Sequence, residues 1–191
     1  STMMDVTSQV TWLSSAPTSL DVSNAAGSQG TAVALDLGTG QVTATLQGIV
    51  GTASFTVGAP ELVSLVVSPM VASVPKGRAQ QYVATGVLSD ASMADLTASV
   101  TWSSTTPATA TISAAGLAAT LAVGSTTIQA SSGAVLGSAT LDVIPPVLDH
   151  LDVTPLNPTR AKGLTQQFTA TGVLTDGTPQ DVTATATWAS A

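Results

Sequence analysis

The chain contains no cysteine, a single histidine and only six aromatic residues among its 191. The missing thiols exclude a cysteine nucleophile, a disulfide framework and a Cys/His zinc cluster. His150 stands alone, so no catalytic pair of histidines is available within the chain. Charge is scarce as well: four Lys/Arg face eleven Asp/Glu, for a formal net charge of −7. Nucleic acid or an anionic lipid surface demands clustered basic side chains, so neither is expected as a partner. The longest unbroken apolar run, Ala32 to Leu35, is far short of the ~20 residues of a bilayer-spanning helix, and no membrane insertion is expected.

Small β-compatible residues fill the space left by these absences. There are 22 Ser and 31 Thr, about 28 % of the chain. Leu, Ile, Val and Phe total 46, about 24 %, above the roughly 20 % level below which chains tend to stay disordered. A folded chain is expected. Ser1-Thr2-Met3-Met4 does not resemble a natural start and shows no signal-peptide pattern, so the chain reads as a segment of something longer.

Internal repetition sets the organisation. Val10-Thr11-Trp12, Val100-Thr101-Trp102 and Ala186-Thr187-Trp188 mark a period of 86 to 90 residues. Gly58 to Trp102 aligns without a gap on Ile144 to Trp188, with 20 identities in 45 positions. Among them are Lys76-Gly77 with Lys162-Gly163, Gln80-Gln81 with Gln166-Gln167, and Ala84 to Leu88 with Ala170 to Leu174. A period of this size suits a small β-sandwich and is too long for a solenoid unit. The expected domains are the rear part of a first (residues 1–58), a complete second (59–144) and the front part of a third (145–191). Proline-containing junctions, Gly58-Ala59-Pro60-Glu61 and Ile144-Pro145-Pro146-Val147, would limit bending and make a semi-rigid rod.

Within each repeat, short alternating runs end at Gly, Pro, Asp or Ser every 8 to 12 residues, and no useful stretch carries a helical period. The fold class expected is all-β. Tyr82, Ala84, Gly86 and Leu88 share one face and are placed inward; Gln81, Val83 and Thr85 face solvent. Ala139, Leu141 and Val143 make an inward face near the end of the repeat. One tryptophan per repeat, burying on the order of 200 Å², is expected to anchor the core, in preference to a sugar-stacking role.

Candidate chemistry is sparse. Asp90 and Asp95 recur as Asp176 and Asp181, flanking a hairpin loop in which Asp176-Gly177 is a strong turn signal. The reading preferred is turn structure; a paired-carboxylate hydrolase or a calcium site would be the sharper alternative, but calcium takes six to eight oxygens from a denser acidic spacing. His150, flanked by Asp149 and Asp152, aligns with Ser64 and is read as an exposed strand residue rather than part of a ligand cluster with Glu61. Lys76 and Lys162 are read as solvated, each beside a glycine in a left-handed turn. Asn157-Pro158-Thr159 fails as an N-glycan acceptor because proline sits in the middle. No catalytic, cofactor-binding or metal-binding residue is assigned, and no enzymatic activity is expected.

Leu65-Val66-Val67-Ser68-Pro69, Lys76-Gly77, Gln80-Gln81-Tyr82, Asp95-Leu96-Thr97, Val100 to Ser104, Ala110 to Gly116 and Ser125 to Ala130, in this order and spacing, resemble the bacterial immunoglobulin-like group 2 domain. The resemblance implies tandem immunoglobulin-like β-sandwich domains of about seven to nine strands, extracellular or at the cell surface. It departs at Gly116-Leu117-Ala118-Ala119, where a weaker strand is expected. It also implies a structural or adhesive module of a stalk or filament. The alternatives are a ligand-binding adhesin domain and an accessory module of a secreted polysaccharide enzyme or phage virion protein. The partners expected are neighbouring domains of the same kind or copies of the chain in a fibre, with a host or matrix protein or a glycan as further candidates. Because Trp12 and Trp188 would compete for one place in a shared domain, a window cut from a longer array is expected over subunit complementation.

Overall fold

The computed structural model describes residues 3–190; Ser1, Thr2 and Ala191, the outermost residues of the first and third expected domains, lie outside the described residues. No helix occurs among them, and the all-β expectation is met. The chain forms two compact units, Ser1–Pro60 and Glu61–Ala191.

The first unit contains β1 (Thr11–Ser14), β2 (Leu20–Val22), β3 (Ala32–Ala34), β4 (Gly38–Leu46) and β5 (Ile49–Val57). Strands β1, β4 and β5 form an antiparallel sheet in that order, and β2 pairs with β3. The two long strands meet at Gln47-Gly48, both at positive φ (50° and 81°), the backbone that a two-residue hairpin with native twist requires.

The second unit begins with β6 (Leu62–Ser68), β7 (Val71–Pro75), β8 (Ala79–Gln81), β9 (Val83–Leu88) and β10 (Met93–Asp95). It continues with β11 (Thr101–Ser104), β12 (Ala110–Ile112), β13 (Leu117–Thr120), β14 (Gly124–Ser132) and β15 (Val135–Ile144). One layer holds β10-β9-β6 and β12-β13-β8; the other holds β11-β14-β15-β7. The first long strand changes partner on the way: β6 runs antiparallel to β9, and after Ser68-Pro69-Met70 β7 runs parallel to β15. The second long strand is interrupted at Tyr82, whose N–H turns to Gly116 O (2.8 Å) while its carbonyl takes the Gln81 side-chain amide (2.7 Å). The strand expected to be weak at Gly116–Ala119 forms as β13 and pairs on both sides, with Ala118 fully buried.

Tyr82, Ala84, Ile128, Ala130 and Leu141 have no exposed surface and, with Val67, Trp102 and Val143, make the core between the layers. The alternation read from the sequence holds at Tyr82, Ala84 and Gly86, which are buried, and at Gln81 and Val83, which are exposed, but not at the strand's end, where Thr85 and Leu88 are both half-buried. The layers approach closely at Gly137, where a Cβ would lie 2.7 Å from Leu65 O.

The same unit ends with β16 (Leu148–Thr154), β17 (Thr169–Leu174) and β18 (Pro179–Asp181), an antiparallel sheet in that order. It reproduces β6-β9-β10, including a bulge at the aligned place, between Leu62 and Ser64 and between Leu148 and His150. Asn157–Ala161, aligned with β7, is not a strand, because among the described residues no counterpart of β15 offers it a parallel edge.

Candidate functional site

One local device recurs three times, once before each tryptophan, and fixes the five-residue step from its threonine to the indole. An aspartate accepts the backbone N–H two residues on, and the tryptophan indole N–H closes on the same threonine's carbonyl. Asp95 Oδ1 receives Thr97 N–H (2.9 Å), and Trp102 Nε1 donates to Thr97 O (2.8 Å). Asp5, Thr7 and Trp12 repeat this at 2.9 and 3.1 Å, and Asp181, Thr183 and Trp188 at 2.9 and 3.1 Å. The threonine hydroxyl oxygen also accepts the N–H of the facing strand, Ala84 to Thr97 at 3.0 Å and Ala170 to Thr183 at 2.9 Å. Asp95 and Asp181 are therefore caps of the turn that seats the indole. Sequence reasoning assigned them only to the hairpin; the recurring Asp-x-Thr five residues before each Trp was the signal. The three indoles differ in surroundings: Trp102 is buried, Trp12 is half-buried, and Trp188 is 47 % exposed with its ring centre 6.5 Å from that of Phe168.

Asp90 and Asp176 hold the hairpin turns themselves. Asp90 Oδ1 receives Ser92 N–H (2.9 Å) and hydroxyl (2.6 Å), and Asp176 Oδ1 receives Thr178 N–H (3.1 Å). Ala91 and Gly177 occupy the left-handed positions that follow, at φ 65° and 81°. Hydrogen bonds from these neighbouring residues hold the carboxyls of Asp90, Asp95, Asp176 and Asp181 below the ordinary value of 3.8. For Asp176 the Lys76 ammonium adds to the effect.

The lysines behave differently from each other. Lys76 Nζ lies 3.1 Å from Asp176 Oδ2, whose side chain is only 9 % exposed. The Thr175 hydroxyl donates to Lys76 O (2.8 Å), and Gly77, at φ 88°, packs so closely that a Cβ would run into the Thr175 carbonyl and lie 2.5 Å from Asp176 Cα. Arg78 pairs with Asp149, the bulged residue of β16, which also accepts from His150 Nδ1 (3.1 Å). A bulge re-aims its side chain off the sheet, here toward Arg78. Lys76 is thus a contact between repeats rather than a solvated charge. Lys162 is exposed, as are His150 and Asp152. Among the described residues no group of three or more His, Asp or Glu is arranged to hold a metal ion.

Comparison with known proteins places these features. Over 189 residues the chain is 39 % identical to ice-binding protein 1 of Shewanella frigidimarina (strain NCIMB 400), covering 99 % of this chain and 21 % of that protein. The chain therefore spans about a fifth of that relative's length. Among solved structures, surface layer protein SbsC domains 4–9 is 22 % identical, with 95 % of this chain and 30 % of that one covered at a TM-score of 0.44. The crystal structure of SbsC domains 4 and 5 is 25 % identical, with 73 % of each chain covered at a TM-score of 0.42. Residues 63–143, the two layers closed around Trp102, match the family model of the bacterial Ig-like domain (group 2).

Proposed function

We propose that the chain is a structural module of an extracellular or cell-surface bacterial protein, in which domains of this family follow one another as a spacer with no catalytic part. The observation that carries this reading is the repetition in structure as well as sequence: β16-β17-β18 copies β6-β9-β10 strand for strand, bulge included. The family-model match of residues 63–143 and the relationship to a much longer protein support it. Negative-stain imaging and force–extension measurement test it: an elongated particle with stepwise unfolding is expected, and a compact, non-linear particle would overturn the reading.

A second reading, adhesion to ice, is favoured by one further observation. On the face of the β4–β5 hairpin that carries Thr39, Gln41, Thr43, Thr52, Ser54 and Thr56, Thr39 is opposite Thr56 and Thr43 opposite Thr52. Such a face sets hydroxyls on a grid of about 4.8 Å between strands and about 6.8 Å along them. The relative's name gives the ligand to try. Thermal hysteresis measured on the full chain is expected to fall to the buffer level when Thr43 and Thr52 become Lys; a wild-type chain with no hysteresis would remove this reading.

A further inference from the structure

The contact between Lys76-Gly77 and Thr175-Asp176 has two halves, and each half exists twice. The turn half recurs as Lys162-Gly163: Gly163 stands at φ 91° against 88° for Gly77, and Leu164 N–H returns to Ala161 O (3.2 Å) as Arg78 N–H does to Pro75 O (3.1 Å). The hairpin half recurs as Ser89-Asp90. Ser89 N–H bonds Glu61 O and Thr175 N–H bonds Val147 O, both at 2.8 Å; the return bonds, from Glu61 N–H to the Ser89 hydroxyl and from Val147 N–H to the Thr175 hydroxyl, are 3.1 and 3.2 Å. Among the described residues only one of these turns and one of these hairpins meet each other. At the second turn a Cβ on Gly163 would find nothing within 4 Å, and Lys162 is exposed. At the second hairpin Ser89 and Asp90 are exposed, whereas Thr175 and Asp176 are half-buried. The Asp90 oxygen equivalent to the one that holds Lys76 has no partner among the described residues.

We propose that the Lys-Gly turn and the hydroxyl-Asp hairpin are the complementary halves of a recurring joint, so that Lys162-Gly163 is a docking surface for the Ser/Thr-Asp hairpin of a further domain of this kind, and Ser89-Asp90 for a Lys-Gly turn. The proposal rests on the spacer reading above. The chemistry of recognition is a three-part fit: an ammonium on a carboxylate, a hydroxyl on the carbonyl of the same lysine, and a glycine that lets the hairpin backbone sit against the turn. An exposed ion pair alone contributes little, but a short linker holds the halves at high effective concentration, where a weak contact suffices to fix orientation. Arg78–Asp149 belongs to this junction only, since the aligned positions are Leu164 and Val63.

The test is transplantation within the full chain. Arg78→Leu with Thr175→Ser and Gly177→Ala rebuilds the occupied joint from the residues of the two free halves, Lys-Gly-Leu against Ser-Asp-Ala. Ala is accommodated at the left-handed position, because Ala91 adopts φ 65° at the aligned place. Residual dipolar couplings report whether Leu62–Ile144 and Leu148–Asp181 share one alignment tensor. The wild-type chain and the triple variant are expected to show a single tensor, and Lys76→Met and Asp176→Asn to lose it while both segments stay folded. Loss in the triple variant, or retention in Lys76→Met, would overturn the proposal. If the triple variant does not fold, Arg78→Leu and the Thr175→Ser/Gly177→Ala pair are read separately against the same two outcomes. An elongated particle whose triple variant has lost the shared tensor overturns the joint alone; a compact particle with one shared tensor overturns the spacer reading instead.

Discussion

At the residue scale, Tyr82 and the capping aspartates show opposite treatments of a polar atom. The Tyr82 hydroxyl is fully buried without a hydrogen-bond partner among the described residues, and burial, with a contribution from the Asp142 charge, pushes its pKa up. The aligned residue Phe168 does without the oxygen. Tyr82→Phe is therefore expected to stabilise the second unit by about 1–2 kcal/mol, the cost of an unsatisfied buried hydroxyl, and a lower urea midpoint would contradict this. The aspartates give a pH dependence whose sign is set by their depressed folded-state values. A carboxyl held below its unfolded value contributes stability above that value and loses it as pH falls through the folded value. Melting temperature is expected to hold from neutral pH to about pH 5 and to fall below about pH 4. Asp95→Asn with Asp181→Asn keeps an acceptor in each turn and is expected to flatten that fall; an unchanged pH profile would show that the caps are not its source. These side-chain roles were only half legible in the sequence. The turn at Asp176-Gly177 was plain, because positive φ favours glycine, but a bond from Asp95 to its own chain two residues on looks in sequence like any surface carboxylate.

At the scale of elements, what could be read was whatever depends on a period of two. The buried faces of β9 and β15 followed directly from alternation in Tyr82 to Gly86 and Ala139 to Val143. What escaped was pairing. The crossing of the first strand from β9 to a parallel edge on β15, and the break at Tyr82, depend on partners distant in the chain and leave no local pattern. Aligned glycines expose the difference that pairing makes. A Cβ at Gly137 meets the Leu65 backbone at 2.7 Å, whereas at the aligned Gly51 in β5 it meets nothing within 4 Å. Gly137→Ala is accordingly expected to cost about 1–3 kcal/mol through backbone displacement, and Gly51→Ala to be neutral or mildly stabilising in its strand. Equal effects of the two substitutions in chemical denaturation would show that the layers do not meet at Gly137.

At the scale of the whole molecule, the distribution of buried apolar surface sets the order of opening. Most of the buried apolar side chains lie between Leu65 and Val143, with Leu20 and Val22 in the first unit and Ala170 after β16. Positions that the middle segment buries are open elsewhere: Leu148, Leu151 and Val153 are 53 %, 50 % and 39 % exposed, against 7 % and 2 % for Leu65 and Val67, the counterparts of the latter two. Local stability follows local burial, so amides of β9, β14 and β15 should exchange only on global opening, and those of β3, β5 and β16 through smaller openings. Native-state hydrogen exchange read strand by strand checks this. The hydrogen bonds of the β4–β5 ladder are as regular as those of β14–β15, so a ladder-dominated chain would protect both pairs equally. The expected outcome is that β5 exchanges markedly faster than β15 despite matching ladders, which would assign the stability of this aromatic-poor chain to the single well-packed layer pair around Trp102.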